Sequence, residues 1–287
     1  MTNETIAEKL VLKKNAMAFS SGFFGFYHHA GALKAFTDHK IFPKKLSGTS
    51  AGSIVAALYG AGLSAENICD ALLKITRKDF WDFQFPFTYN GFGWLKGERF
   101  GKILDNMLPV KQFKECKIPT SVGVYTLKDG RSRQLNQGSI VNAVRASCAV
   151  PYLFSPVKID NELYWDGGFA EKTPLGHYVK DKEIDSVIIS HMPPREEHGG
   201  KKRKQGLFSG IKFFADIPLE ERINRDKVAV KLIRKNGKKV YIFSPKRLWL
   251  GPFSLDKAQE AMEFGYNETV KMLNSTDLNI LGSDNLK

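Results

Sequence analysis

Ser50 stands at the centre of Gly48-Thr49-Ser50-Ala51-Gly52, and a run of small and apolar residues follows it. A serine in that setting suits nucleophilic attack on an acyl carbon. A sharp strand-to-helix turn exposes its hydroxyl, and the flanking glycines let the chain double back without side-chain collision. A helix over about 51–59 would aim its amino-terminal N–H groups and positive dipole end at the reacting centre. The same pentapeptide equally suits an ordinary turn with Ser50 as the helix N-cap, and alone it leaves both readings open. A nucleophile also needs a group to take its proton and donors for the oxyanion.

Two kinds of proton acceptor are available. The histidines are His28, His29, His39, His177, His191 and His198. Of these only His191, after the apolar run Val187–Ser190, suits the Ser–acid–His order of an α/β-hydrolase. A Ser50–His191 esterase is therefore one reading. The other acceptor is Asp166 in Leu163-Tyr164-Trp165-Asp166-Gly167-Gly168, at the end of a strand-like run and before two glycines. An Asp-Gly-Gly turn is commonly just a loop. As a base, an ordinary aspartate (pKa ~3.9) is weak, so a direct Ser–Asp dyad requires a partly dry pocket.

The elements around these residues suggest an α/β architecture. Residues 15–19 read as a short buried strand entering a glycine-containing turn over 20–25, and 27–36 read as a helix. A strand near 45–47 then leads into the Ser50 turn, giving two successive strand–turn–helix units. Residues 120–138 alternate and carry Asp129-Gly130, a hairpin signal. Residues 187–190 and 240–243 are further core strands. Leu255, Ala258, Met262, Tyr266, Val270 and Leu273 recur at helical spacing behind Ser254, a candidate N-cap.

The chain of 287 residues has the apolar and charged fractions of a globular protein (43% and 25%), with length for a sizeable core. Its 43 Lys+Arg against 30 Asp+Glu give a formal charge of +13, which favours anionic partners. Cys69, Cys116 and Cys148 form no CxxC pair, which argues against a disulfide framework or zinc site and for a reducing compartment. The amino terminus is too polar for a secretory signal, and no apolar run reaches the ~18 residues of a membrane span. A cytoplasmic protein able to visit a membrane surface is expected. A non-catalytic basic module binding membrane or nucleic acid is the remaining rival.

The two motifs together, Gly48–Gly52 and Asp166-Gly167-Gly168, resemble the patatin-like phospholipase family. Residues 145–168, RASCAVPYLFSPVKIDNELYWDGG, resemble the family segment leading into its catalytic aspartate. SSGFFGFYHHAGAL resembles its glycine-rich oxyanion loop, particularly in relatives of adipose triglyceride lipase, and bacterial patatin-like proteins are similar as well. The resemblance runs with gaps from about residue 14 to 190 and weakens beyond.

It implies a three-layer α/β/α fold with a mainly parallel central sheet and one domain over 1–287, in which 191–287 is a basic extension packed on the same domain. It further implies a Ser50–Asp166 dyad acting through an acyl-enzyme on phospholipid or related acyl esters, without cofactor or metal. Backbone amides around Ser21, Gly22 and Phe23 would hold the oxyanion, with Gly25 closing that loop. The first glycine of the loop is replaced by Ser20, and Phe23, Phe24 and Phe26 stand where many members carry a basic residue.

Two further segments bear on the substrate side. Residues 79–94, DFWDFQFPFTYNGFGW, are densely aromatic without clean periodicity, and suggest either a lid over Ser50 or an irregular core segment. Lys227, Lys231, Arg234, Lys235, Lys238 and Lys239 surround an Asn236-Gly237 hairpin and suggest peripheral contact with an anionic membrane, or a solvated face. GGKKRKQG at 199–206 reads as a surface loop, and no nucleic-acid partner is expected.

Overall fold

The computed structural model describes residues 4–88, 91–173, 175, 178–193, 230–245, 248 and 250–280. The amino-terminal half runs α1 (Ile6–Val11), β1 (Asn15–Phe19), α2 (Phe26–Asp38), β2 (Pro43–Thr49), α3 (Ala51–Gly60) and α4 (Ala65–Leu73). Next come β3 (Phe87–Thr88), β4 (Gly91–Leu95), α5 (Glu98–Met107), β5 (Thr120–Thr126), β6 (Arg131–Leu135) and α6 (Ile140–Ser147). Strands β7 (Tyr152–Phe154), β8 (Val157–Ile159), β9 (Glu162–Asp166) and β10 (Ser186–Ser190) follow. The chain continues through β11 (Val230–Lys235), β12 (Lys238–Phe243), α7 (Ala258–Leu273) and β13 (Leu278–Ile280).

The main sheet has the order β13-β11-β12-β10-β1-β2-β5-β9-β8, with β6 paired to β5. Its centre, β12-β10-β1-β2-β5, is parallel throughout. Both flanks turn antiparallel, at β11–β12 on one side and at β5–β6, β5–β9 and β8–β9 on the other. The sheet is therefore mixed around a parallel core, within a three-layer α/β fold.

The central strands are apolar because they are covered twice. Along β1, Met17 and Phe19 point to the larger core beneath the helices, while Ala16 and Ala18 point to the second core with Val187, Ile189 and Tyr178. That alternation follows from the two-residue period of a strand. On the helical face, α3 lies over β2, β5 and β1, and α2 packs extensively against α7.

The carboxyl-terminal region joins the same sheet through a tight turn, with Asn236 and Gly237 both left-handed (φ 49° and 76°), as a type I′ hairpin needs. Two expectations change. Ser254 does not cap the last helix: a 3-10 turn over Leu255–Lys257 comes first, and the Ser254 hydroxyl turns back to Gly251, accepting from its N–H at 2.9 Å. Lys238 does not belong to a solvated basic face, because its ammonium donates to the Asp181 and Ile184 carbonyls. Lys227 and residues 199–206 lie outside the described residues, as do His177 and His198.

Candidate active site

β2 ends at Thr49 and α3 begins at Ala51, leaving Ser50 alone to make the turn. Its backbone adopts φ 51° and ψ −122°, a conformation that a non-glycine residue holds only when its surroundings enforce it. Those surroundings are visible. The Ser50 N–H donates to Ser147 Oγ at 2.7 Å, and the Ser50 carbonyl accepts from Ser53 Oγ at 2.6 Å and from Ser53 N at 2.9 Å. A Cβ at Gly48 would meet the Gly52 carbonyl oxygen at 2.2 Å, and one at Gly52 would meet the Phe19 carbonyl oxygen at 2.2 Å. Both glycines are thus required by close backbone approach, and Ser50 is the apex of an elbow rather than a hydrogen-bonding N-cap.

Asp166 arrives from the other direction. β9 runs antiparallel to β5, with Asp166 opposite Val124, while β5 pairs on its other side with β2, setting Gly123 opposite Thr49. One strand therefore separates the two ends of the site. The Gly168 N–H donates to Asp166 Oδ1 at 2.7 Å. Burial pushes the Asp166 pKa from its ordinary 3.8 up to about 7, and the nearby Ser50 side chain and the Gly168 amide oppose that rise only in part. The dry setting that a serine–aspartate pair needs is present.

His191 is placed elsewhere. It is buried just past β10, its N–H donating to the Phe243 carbonyl at 2.8 Å. β10 is separated from β2 by β1, so two strand spacings, roughly 10 Å, lie between their backbones. The acidic group beside the Ser50 side chain is Asp166.

The glycine loop between β1 and α2 borders the same cleft. The Ser21 N–H is already given to the Lys172 carbonyl at 2.8 Å, which removes it from the expected set of oxyanion donors. Gly22 and Phe23 both line the cleft beside Ser50. Ser20, in place of the first loop glycine, is completely buried and works as an anchor: its hydroxyl accepts from Met192 N at 2.8 Å. Behind it His29 donates from Nε2 to the Ser20 carbonyl at 2.9 Å and accepts at Nδ1 from the Ser190 hydroxyl at 2.8 Å. The tautomer follows from the carbonyl, which can only accept. Phe24 sits at φ 52°, held by ring contacts with Phe23, Phe26 and Phe80 at centroid distances of 4.9–5.8 Å.

Sequence reasoning missed Ser147. Fully buried at the end of α6, it accepts from Ser50 N and donates to the Gly123 carbonyl at 2.6 Å. Only its place in the RASCAVP segment hinted at a role. Cys148 follows it, its thiol 3.8 Å from Ser53 Oγ and pushed well above the usual thiol range by burial, so it stays protonated.

A cleft of about 110 Å³ opens over Ser50. Its walls are mainly apolar, with Phe26, Ile54, Phe80, Leu95, Val150 and Leu153 among them. An apolar wall of this kind suits an acyl chain, and Ser50, Gly22 and Phe23 line it as well. Among the described residues, no group of three or more His, Cys, Asp or Glu side chains could hold a metal ion, and no helix is long and apolar enough to cross a membrane.

Comparison with known proteins identifies the family. The sequence pattern of the patatin-like phospholipase family matches residues 17–178, a range that includes Ser50, Asp166 and the glycine loop. Protein R571 of Acanthamoeba polyphaga mimivirus is 28% identical over 205 residues, covering 65% of this chain and 67% of that protein. The omega-hydroxyceramide transacylase of Mus musculus is 26% identical over 198 residues, covering 64% of this chain but 31% of its own length. Among solved structures, VipD from Legionella pneumophila has a similar fold, with a TM-score of 0.50 at 14% identity over 92% of this chain and 67% of that one. The chain belongs to the patatin-like phospholipase family and is an enzyme of that type.

Proposed function

We propose that this enzyme is a serine lipid acyl hydrolase of phospholipase A or lysophospholipase type, working through Ser50 and Asp166. The observation that carries the reading is a buried carboxylate beside the Ser50 side chain, its pKa raised to about 7 by burial, next to an apolar cleft that Ser50 lines. A base poised near neutrality takes a serine proton far better than an ordinary carboxylate.

Asp166 accepts the Ser50 proton as Oγ attacks the ester carbonyl. The tetrahedral oxyanion is held by the Gly22 and Phe23 N–H groups, and losing one such donor typically costs ~2.7–4 kcal/mol of transition-state stabilisation. Collapse expels the alcohol, which takes the proton from Asp166 and leaves an acyl-Ser50. Asp166 then deprotonates water, hydroxide attacks the acyl carbon, and collapse releases the fatty acid as Ser50 regains its proton. The positive charge and unpaired cysteines support peripheral work on anionic lipid surfaces from a reducing compartment.

The test compares Ser50→Ala, Asp166→Asn and His191→Asn on a short-chain ester and on mixed phospholipids, with lipidomic identification of products. Loss of ~10³-fold or more in the first two is expected, with activity retained in His191→Asn and free fatty acid plus lysophospholipid as products. Full activity in Asp166→Asn would refute the dyad.

A further inference from the structure

The aromatic segment 79–94 begins at the cleft, where Phe80, packed against the core, and Trp81 line the wall above Ser50. After Phe80 and Trp81 it forms the β3–β4 hairpin, which continues into β7 through the pairings Gly93↔Tyr152 and Leu95↔Phe154. β4 alternates, so Leu95 turns into the cleft while Trp94 turns out to solvent. Phe83, Phe85 and Phe87 are 69%, 74% and 71% exposed, and Phe253 is 76% exposed.

Single exposed aromatics are ordinary. Ring contacts join them in two groups, Phe253–Trp81–Phe83 and Phe85–Phe87–Phe92 with Trp94 and Tyr152, and the hairpin strands bring the two side by side through the Phe83↔Leu95 bridge. Exposed apolar groups clustered in this way mark an interaction site.

The hairpin base is firmly tied. Asp82 accepts from the Gly97, Glu98 and Arg99 amides at 2.6–3.0 Å, and Arg145 donates to the Gly97 and Lys96 carbonyls. Trp81, Leu95, Lys96 and Pro252 belong at once to this face and to the wall of the cleft above Ser50. The exposed surface is therefore continuous with the path that an acyl chain would take.

Charge selects the occupant. Exposed Arg77, Lys78, Lys96 and Arg99 flank the aromatics, Arg77 lying 5.7 Å from the Phe253 ring centroid. Of the neighbouring carboxylates, Asp82 is buried in its amide contacts and Asp79 is bound to Thr76 N and Oγ1, leaving Glu98 exposed. Aromatic side chains ringed by cations fit the interface of an anionic phospholipid bilayer, rings at the acyl boundary and cations among the headgroups.

We infer that the β3–β4 hairpin together with Phe253 is the face by which the enzyme docks on anionic phospholipid bilayers, with the cleft mouth opening directly onto the lipid. This rests on the lipid-hydrolase reading and adds the docking face to it. The test uses the full chain and the triple variant Phe83→Ser/Phe85→Ser/Phe87→Ser, which replaces exposed residues outside the catalytic machinery. Sedimentation is measured with phosphatidylcholine vesicles and with equimolar phosphatidylcholine–phosphatidylglycerol vesicles, alongside turnover of a soluble short-chain ester.

Wild type is expected to partition onto anionic vesicles at least about tenfold better than the variant, and better than onto neutral vesicles, with soluble-ester turnover unchanged. Tryptophan fluorescence supplies a second readout. Brominated lipid quenches wild type, and the quenching falls in Trp94→Phe. Equal partitioning of wild type and variant overturns the docking face, as does equal binding to neutral and anionic vesicles. Loss of both dyad dependence and fluorophosphonate labelling would overturn the hydrolase reading instead, whatever the vesicles show.

Discussion

Ser147 donates its hydroxyl proton to the Gly123 carbonyl across 2.6 Å while accepting the Ser50 N–H at 2.7 Å. Gly123 sits opposite Thr49, and a Cβ on Gly167 would meet the Gly123 carbonyl at 2.4 Å, so the Asp-Gly-Gly turn lies against the same peptide. The Ser147 hydroxyl thereby links the backbone of the Ser50 elbow to β5, which also pairs with the strand ending at Asp166.

Ser147→Ala is expected to lower kcat by about 10- to 100-fold with KM nearly unchanged, since the loss is one of alignment. Fluorophosphonate labelling of Ser50 slows in parallel, and Ser147→Thr restores part of the rate. Steady-state kinetics on a soluble ester check this. A variant that changes only thermal stability would reduce Ser147 to a packing residue.

The raised pKa of Asp166 fixes the sign of two pH effects. Activity should rise through an apparent pKa near 7, because the base works only when ionised. For stability, a carboxylate whose pKa rises on folding favours the folded state when protonated. The penalty is absent below the ordinary 3.8, grows as pH rises, and is complete above about 7. Asp166→Asn should therefore be inactive yet melt above wild type at pH 8, with the gap closing towards pH 4; a pH series of thermal melts measures it.

Restoring the glycine of the loop should not improve the enzyme. Ser20→Gly strips the buried Met192 N–H of its acceptor, at a cost of ~1–3 kcal/mol. It also frees the loop that carries Gly22 and Phe23. A lower melting temperature and lower kcat are expected by scanning fluorimetry and ester kinetics. An increase in kcat would show that the anchor restrains catalysis.

Cleft shape should set acyl length. Val150 lines the wall beside Ala149 and Leu153. Val150→Phe is expected to narrow the channel and shift preference from long to short acyl esters by about tenfold, read as the ratio of kcat/KM values across a chain-length series.

The turns at Ser50 and Asp166 were legible because their constraints are local. Gly48 and Gly52 are required by backbone approaches within one elbow, and Asp166 terminates a strand before two glycines. The central strands were legible because burial on both faces makes them continuously apolar. What stayed hidden depends on meetings between distant segments. No local pattern reports that Ser147 reaches Ser50, that Ser20 holds Met192, or that Lys172 takes the Ser21 amide. The aromatic run resisted assignment for a related reason. Its side chains alternate between a cleft wall and open solvent, so both environments demand apolar residues and erase the usual contrast.

With Asp166 as the base and the docking face as inferred, a carboxyl pushed up to about 7 by burial would make the enzyme responsive to the surface beneath it. An anionic leaflet at about −30 mV holds protons at its surface roughly half a pH unit more acidic than bulk water. An enzyme docked there finds its base protonated more of the time than one acting on a dissolved ester, so its apparent pKa on such vesicles lies higher. Each fatty acid that stays in the leaflet deepens the negative charge and adds to the effect. Turnover on such a leaflet would then acidify the enzyme's own working surface and act as a feedback brake, seen as a rate that falls with accumulated fatty acid on vesicles but not on a dissolved ester.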